Sequence, residues 1–411
     1  MSESIMIEKL IPGGQALTTL PDGKKAFFWG ALPGEIVEEY KVTKQKSRYT
    51  EAVATRISHP SKYRIEPKDV CFLSTSPWQI MKYEYELSQK QALVTEVFRE
   101  HQIIIDPPEI YTDHHDYFYR NKMEYGLYWN NDTNKIELAF HARGSHRKIP
   151  ITASSIERPE IFQKAHQIIN ELNEKHEEAR KYQSLLLRCN QNGEVAGGLY
   201  ENGKPHPKFN NLKDHIFGYE YSYSPNGFFQ INLPVYEMAL SEIKKHVTTN
   251  KVLDLYSGVG TIGLSVASDK QLTLVECDGF AFTEMARNIT IEGISRPTGS
   301  ELARSPVTTG ATKRVRNSNI LAILDKSENV TNYISPDQTV ILDPPRAGCD
   351  RKLIDELNKI KPTKIIYLSC NPATQARDVK LLLENYHIED IKTFNFFPRT
   401  PHTENLVVLS L

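Results

Sequence analysis

The residues best suited to chemistry lie in the last third of the 411-residue chain. Ile365-Ile366-Tyr367-Leu368 reads as a buried strand and runs into Ser369-Cys370-Asn371-Pro372. Pro372 lacks an N–H and biases Asn371 away from helical geometry, so the strand stops and the Cys370 thiol is held at its exit. Most free cysteines are small core residues, but one at a strand's end can face a cleft as a nucleophile. A second apolar run, Val340-Ile341-Leu342, ends in Asp343-Pro344-Pro345-Arg346, whose two prolines stiffen the backbone that presents the carboxylate. A D-P-P-aromatic run is associated with methylation of exocyclic amines; Arg346 stands where that ring would be and argues against such chemistry. Near the C-terminus, His402-Thr403-Glu404 precedes the strand Asn405-Leu406-Val407-Val408-Leu409. Burial beside that strand would raise the Glu404 pKa and make it a usable base.

The fourth element is Asp254-Leu255-Tyr256-Ser257-Gly258-Val259-Gly260-Thr261-Ile262-Gly263. Gly258, Gly260 and Gly263 satisfy G-x-G-x-x-G after a strand, and Glu276 closes the next strand. The spacing fits an adenosine-containing ligand whose ribose hydroxyls need a carboxylate, and it leaves a dinucleotide and S-adenosylmethionine both open. Taken together, an adenosine loop, a rigid carboxylate, a thiol and a second carboxylate suit one demanding reaction. C5 of uracil is too weak a nucleophile to take a methyl group unaided. Thiolate addition at C6 makes C5 an enolate carbon, and a base must then remove the C5 proton so that the thiol can leave.

These residues need a sheet to hold them at one edge. From about Asn226 onward, buried strands alternate with helical segments, the pattern of a doubly wound parallel sheet with ligands at the strands' carboxyl ends. Ser295–Asn319, rich in Ser, Thr, Gly, Pro and Arg, reads as a mobile basic insertion in that domain. Residues 1–58 read as a small all-β module, with turns at Pro12-Gly13-Gly14, Pro21-Asp22-Gly23 and Pro33-Gly34. Lys24, Lys44, Lys46 and Arg48 alternate there with aromatics, as phosphate contact with base stacking requires, although lysines also protect strand edges. Residues 59–110 form a connector followed by a helix with Leu87, Gln91, Val94 and Phe98 on one face. Residues 111–225 are expected to hold short strands and one long polar helix from Ile161 to Tyr182. Their basic loop around Arg143, His146 and Arg147 suits phosphate contact.

Composition narrows the class. Apolar residues make up 39% and charged residues 25%, and the net charge is −1, so any nucleic-acid affinity must come from local basic surfaces. No apolar run reaches membrane-span length and the N-terminus lacks a secretory pattern, so a cytoplasmic protein without membrane contact is expected. The five cysteines form no C-x-x-C, which disfavours disulfides and a metal site.

At this point the chain resembles the RNA uracil-5 methyltransferase family over nearly its whole length. The resemblance rests on Tyr119-Arg120-Asn121-Lys122, Arg143-Gly144-Ser145-His146, Asn226-Gly227-Phe228-Phe229-Gln230-Ile231-Asn232, D-P-P-R-A-G, S-C-N-P-A-T and the terminal H-x-E. It implies an α/β fold: a Rossmann-like S-adenosylmethionine-dependent domain at 226–411, an N-terminal OB-like TRAM barrel at 1–58, and a central α+β RNA-binding domain at 111–225. The helix within 59–110 would pack on the catalytic domain. Cys370 would be the nucleophile and Glu404 the proton acceptor. Gln230, Tyr256, Gly258, Gly260, Thr261, Glu276 and Asp343 would bind S-adenosylmethionine, and Arg346 would join the basic residues above in contacting ribosomal or transfer RNA. Relatives with a TRAM domain often carry four cysteines for an iron–sulfur cluster. Here Cys71 stands alone in the corresponding region, so no cluster is expected. A monomer is expected. A hydride-transferring oxidoreductase and a non-catalytic RNA-binding protein are the competing readings.

Overall fold

Strands buried on both faces form the centre of the largest sheet. The structure is a computed structural model that describes residues 4–206, 209–291 and 313–411. In spatial order the strands are Lys313–Asn317, Ile320–Leu324, Gln271–Glu276, Lys251–Leu255, Gln338–Leu342, Lys364–Ser369, Glu404–Ser410, His387–Phe394 and Glu109–Tyr111. The five from Ile320–Leu324 to Lys364–Ser369 are mutually parallel. Glu404–Ser410 runs antiparallel to both of its neighbours, so the sheet is mixed where a wholly parallel one was expected.

Helices cover both faces, which explains the nearly continuous apolar strands. Leu233–His246, Thr261–Ala267 and Gly279–Ile291 pack on one face together with the hairpin Leu212–Ile216/Tyr219–Tyr223. Tyr83–Glu100, Arg351–Ile360 and Pro372–Leu382 cover the other. Thus Tyr83–Glu100 and the edge strand Glu109–Tyr111 belong physically to the catalytic layer, far from it in sequence. Of the expected insertion, residues 295–312 lie outside the described residues. Its last part is ordered as a strand: Lys313–Asn317 pairs antiparallel with Ile320–Leu324 across a turn at Ser318.

The N-terminal six-stranded sheet closes on itself through one segment. Ile5–Met6 pairs with Ile36–Gln45 on one edge, and Lys9–Leu10 pairs with Ala16–Thr19 on the other. Buried Glu35 accepts two bonds of 2.6 Å from Arg64 and so pins this module to the connector. A second six-stranded antiparallel sheet, from Lys122 to His206, carries the helix Pro159–Glu174. That helix ends eight residues before the expected Tyr182: Lys175 caps it and His176 turns left-handed at φ 52°. No helix among the described residues is long and apolar enough to cross a membrane.

Candidate active site

Register brings the expected nucleophile and the expected base together. Ser369 pairs with Asn405 across the antiparallel ladder, so the next step sets Cys370 against Glu404. In the parallel part, Leu255 pairs with both Val275 and Leu342, and one step further lie Tyr256, Glu276 and Asp343 in a row. The Cys370 thiol, the Glu404 carboxyl and the expected cofactor residues therefore share one sheet edge. All of them except Gly260 line a single cavity of 1510 Å³, together with Gln230, Arg346 and His402.

The three glycines of the loop do different work. Gly258, at φ 58°, donates its N–H to Glu276 Oε2 at 2.8 Å, while Glu276 Oε1 accepts from Asp278 N at 2.6 Å. Gly260 turns away from the cavity. Its N–H bonds Ser257 O, it adopts φ 88° ahead of helix Thr261–Ala267, and a Cβ there would press on Leu264 at 3.0 Å. Gly260 is thus a turn residue where a ligand contact was expected. Gly263 lets the helix lie on the sheet: a Cβ would sit 2.5 Å from Leu274 Cδ2 and 2.7 Å from Asp254 Oδ2. Thr261 is buried at the helix start.

Burial sets the electrostatics. It raises Glu404 well above an ordinary carboxyl, helped by the Asp343 charge and opposed by Arg346. It lifts Asp343 to about 7 and Asp254 to about 8. Cys370 rises to about 11 through burial and the Glu404 and Asp343 charges, and Arg346 pulls it down. Asp343 has no hydrogen-bond partner among the described residues, and one buried Asp254 oxygen is likewise unpartnered. Asp343 lines the cavity whereas Asp254 does not, and an unpartnered cavity carboxyl suits a cationic ligand when ionised. His402, at the mouth, falls to about 4 through desolvation and the nearby cations Arg346, Lys90, Arg120 and Arg143, so it is neutral at pH 7.

The loop leading into Glu404 is held from outside its own domain. Arg399 adopts φ 63°, and its N–H is shared by both Glu86 carboxylate oxygens at 3.0 Å. Its guanidinium reaches Met81 O at 2.6 Å and pairs with Asp116. Fully buried Lys90 pairs with Glu86 at 3.0 Å and donates to Phe397 O at 3.1 Å, while Tyr119 Oη donates to Pro398 O at 3.0 Å. On the thiol side, Asn371 Nδ2 and Thr374 Oγ1 donate to Arg346 O at 2.9 and 3.1 Å and tie the two loops together.

The family model described as tRNA (uracil-5-)-methyltransferase matches residues 210–411. Residues 210–411 belong to that family. The chain is therefore an enzyme of the RNA (uracil-5-)-methyltransferase class. It is similar along its length to uncharacterized RNA methyltransferases of Prochlorococcus marinus (27% identical, covering 92% of this chain and 99% of the relative) and Nanoarchaeum equitans (28%, 92% and 88%). Its fold matches the crystal structure of Pyrococcus abyssi tRNA (uracil-54, C5)-methyltransferase in complex with S-adenosyl-L-homocysteine. The TM-score is 0.74 at 23% identity, covering 99% of this chain and all of that one.

In this methyltransferase the expected RNA-contact residues divide by environment. Lys24 pairs with Asp22 at 2.8 Å and Lys44 with Glu51 at 3.1 Å. Lys46, Arg48, His146 and Arg147 are exposed and make no ion pair among the described residues. Arg143 is a staple between modules: it stacks 4.0 Å from the Trp29 ring, bonds Leu73 O, and its N–H donates to Ser74 Oγ at 3.0 Å. Arg346 makes no ion pair and opens into the cavity. Cys71 is buried beside Asp69 and Thr75, with burial raising its pKa to about 11. No group of three or more His, Cys, Asp or Glu residues is placed to hold a metal among the described residues. Sequence reading gave no role to Phe228, which is 72% exposed at the cavity rim, or to the Glu86–Lys90 pair. Two charges at i, i+4 on the apolar side of a helix were the available signal for that pair.

Proposed function

We propose that the enzyme methylates C5 of a uridine in structured RNA through a covalent Cys370 adduct, with S-adenosylmethionine as methyl donor. The observation that carries this reading is that Cys370 and Glu404 face each other across the sheet and open into the cavity lined by Gln230, Glu276 and Asp343. The family match favours S-adenosylmethionine over a dinucleotide in the glycine loop. Glu276 would take the ribose hydroxyls, while Tyr256, Gly258 and Thr261 line the space beside it. Gln230 and Asp343 would face the methionine portion. When bound, the cofactor supplies an electrophilic methyl group on a positively charged sulfur.

The chain's own groups do the rest. Arg346 favours the Cys370 thiolate, whose sulfur bonds to C6 of the uracil and moves the ring electrons toward C5 and O4. After C5 is methylated, Glu404 removes its proton, the C5–C6 double bond re-forms and the C6–S bond breaks. The target base must leave its stack to reach Cys370, and exposed Phe228 offers a ring for it to lie against. Transfer RNA is the substrate to test first, given the family description and the fold neighbour. Replacing Glu404 with Gln is expected to trap an RNA–protein adduct at Cys370 and reduce turnover at least 10²-fold, roughly the contribution of a positioned base. A gel shift under denaturing conditions reads it; methylation at the wild-type rate without adduct would refute the mechanism.

A further inference from the structure

A second cavity, of 200 Å³, lies on the other side of the nucleophile. It shares Arg346, Cys370 and His402 with the large cavity, so the two meet at the thiol. Neither Glu404 nor any expected cofactor residue lines it, so methyl transfer does not take place there. Its walls come from four segments distant in sequence: the Pro12–Gly13 turn of the N-terminal barrel, Val94 and Val97 of helix Tyr83–Glu100, Ala373 at the start of helix Pro372–Leu382, and Pro401 and Thr403 of the loop before Glu404.

We propose that this cavity is a subsite for a second unstacked nucleobase, the immediate neighbour of the target uridine on the same RNA strand. The inference rests on the function proposed above. Flipping one base out of a structured RNA exposes the stacking face of its neighbour, and an apolar slot with a polar rim matches a heterocycle's greasy faces and hydrogen-bonding edge. Proline, valine and alanine supply the walls. At the shared mouth, the Arg346 guanidinium and the neutral His402 ring supply donor and acceptor groups, and neither has a hydrogen-bond partner for its side chain among the described residues. The volume holds about six waters' worth of space, which suits one planar ring. Continuity at Cys370 places the slot within reach of a base tethered to the one being methylated.

The barrel turn is built to stay in place. Gly14 is pinned, since a Cβ there would collide with Pro401 and its carbonyl accepts from Trp78 Nε1 at 3.1 Å. Gly13 next to it has open space around it. The N-terminal module thus completes a pocket at the active site as well as offering a basic surface.

Two variants on opposite walls test the subsite, Ala373→Phe and the exposed-turn substitution Pro12→Trp. Each is assayed in the full-length enzyme on a transfer RNA hairpin with an intact or an abasic neighbour, placed 5′ or 3′ of the target. Both variants are expected to raise KM roughly tenfold for intact RNA, about one base's contact, with kcat unchanged. On RNA abasic at the relevant neighbour they should match wild type. Equal impairment of intact and abasic RNAs would mean that the slot takes the target base or is structural, and no impairment of either would mean that it is unused. Either result overturns the proposal. Wild-type enzyme that makes neither 5-methyluridine nor a Cys370 adduct on any RNA would instead overturn the underlying function.

Discussion

At the scale of single residues, burial pushes the Cys370 thiol up to about 11 and raises Glu404 well above an ordinary carboxyl. In the proposed mechanism the thiol must lose its proton before it adds to C6, so the rate should climb with pH from neutral into the alkaline range. Arg346 lowers both pKa values, and Arg346→Ala is expected to move the rising limb to higher pH, with a larger loss at pH 7 than at pH 9. A pH–rate profile of single-turnover methylation checks this; an unmoved limb would remove Arg346 from thiol activation. Asp254 gives a stability test. Its folded pKa is raised from 3.8 to about 8 by burial, so between those values the folded chain binds more protons than the unfolded one. Stability therefore falls as pH rises across that window. Asp254→Asn keeps the bond to Gly263 N and should flatten this dependence in denaturant melts taken from pH 4 to pH 8. The sequence placed Asp254 in the glycine motif but could not reveal its unpartnered oxygen, because its burial comes from neighbouring strands and the packed helix rather than from adjacent residues.

At the scale of elements, helix Tyr83–Glu100 decides where the base loop sits. Reading the helix by its apolar residues put Leu87 and Gln91 on the inner face, yet both are only half-buried, while Glu86 and Lys90 are fully buried. The inner face is rotated by one position because two charges occupy it, satisfied by Arg399 N, Asn395 and Phe397 O. Lys90→Met strands a buried carboxylate and is expected to cost about 3–5 kcal/mol, with the Glu86→Gln/Lys90→Met double variant recovering a substantial part. Urea denaturation of the two variants measures the difference. Equal losses would argue that the pair matters only for shape.

At the scale of the whole molecule, basic residues from two modules act together on the His402 loop. Arg120 and Arg143 of the central sheet and Arg346 of the catalytic domain all act on His402. The net charge of −1 hides this concentration. Of the expected RNA contacts, Lys46, Arg48 and Arg147 are exposed and make no ion pair among the described residues, which leaves their charges available to phosphates. Each replacement by Ala is expected to reduce the slope of log K against log salt for RNA binding by about 1 or slightly less. Arg143→Ala should instead weaken RNA binding by loosening the barrel from the central sheet, visible as increased proteolysis near Leu73. Filter-binding titrations at several salt concentrations distinguish the two behaviours.

The sequence by itself determined the chemical cast. The thiol, the carboxylates, the glycine loop and the strand ends that carry them are local signals, written by proline, glycine and apolar runs. Tertiary structure alone decided how they meet. Glu404 stands at the start of its strand and Cys370 just past the end of another, and only an antiparallel pairing puts both at the same sheet edge. Strand direction is set by which neighbour buries the apolar faces, a long-range property that no local pattern encodes. For the same reason, a helix and an edge strand from residues 83–111 joined the catalytic layer, and a turn near residue 13 came to lie beside Cys370.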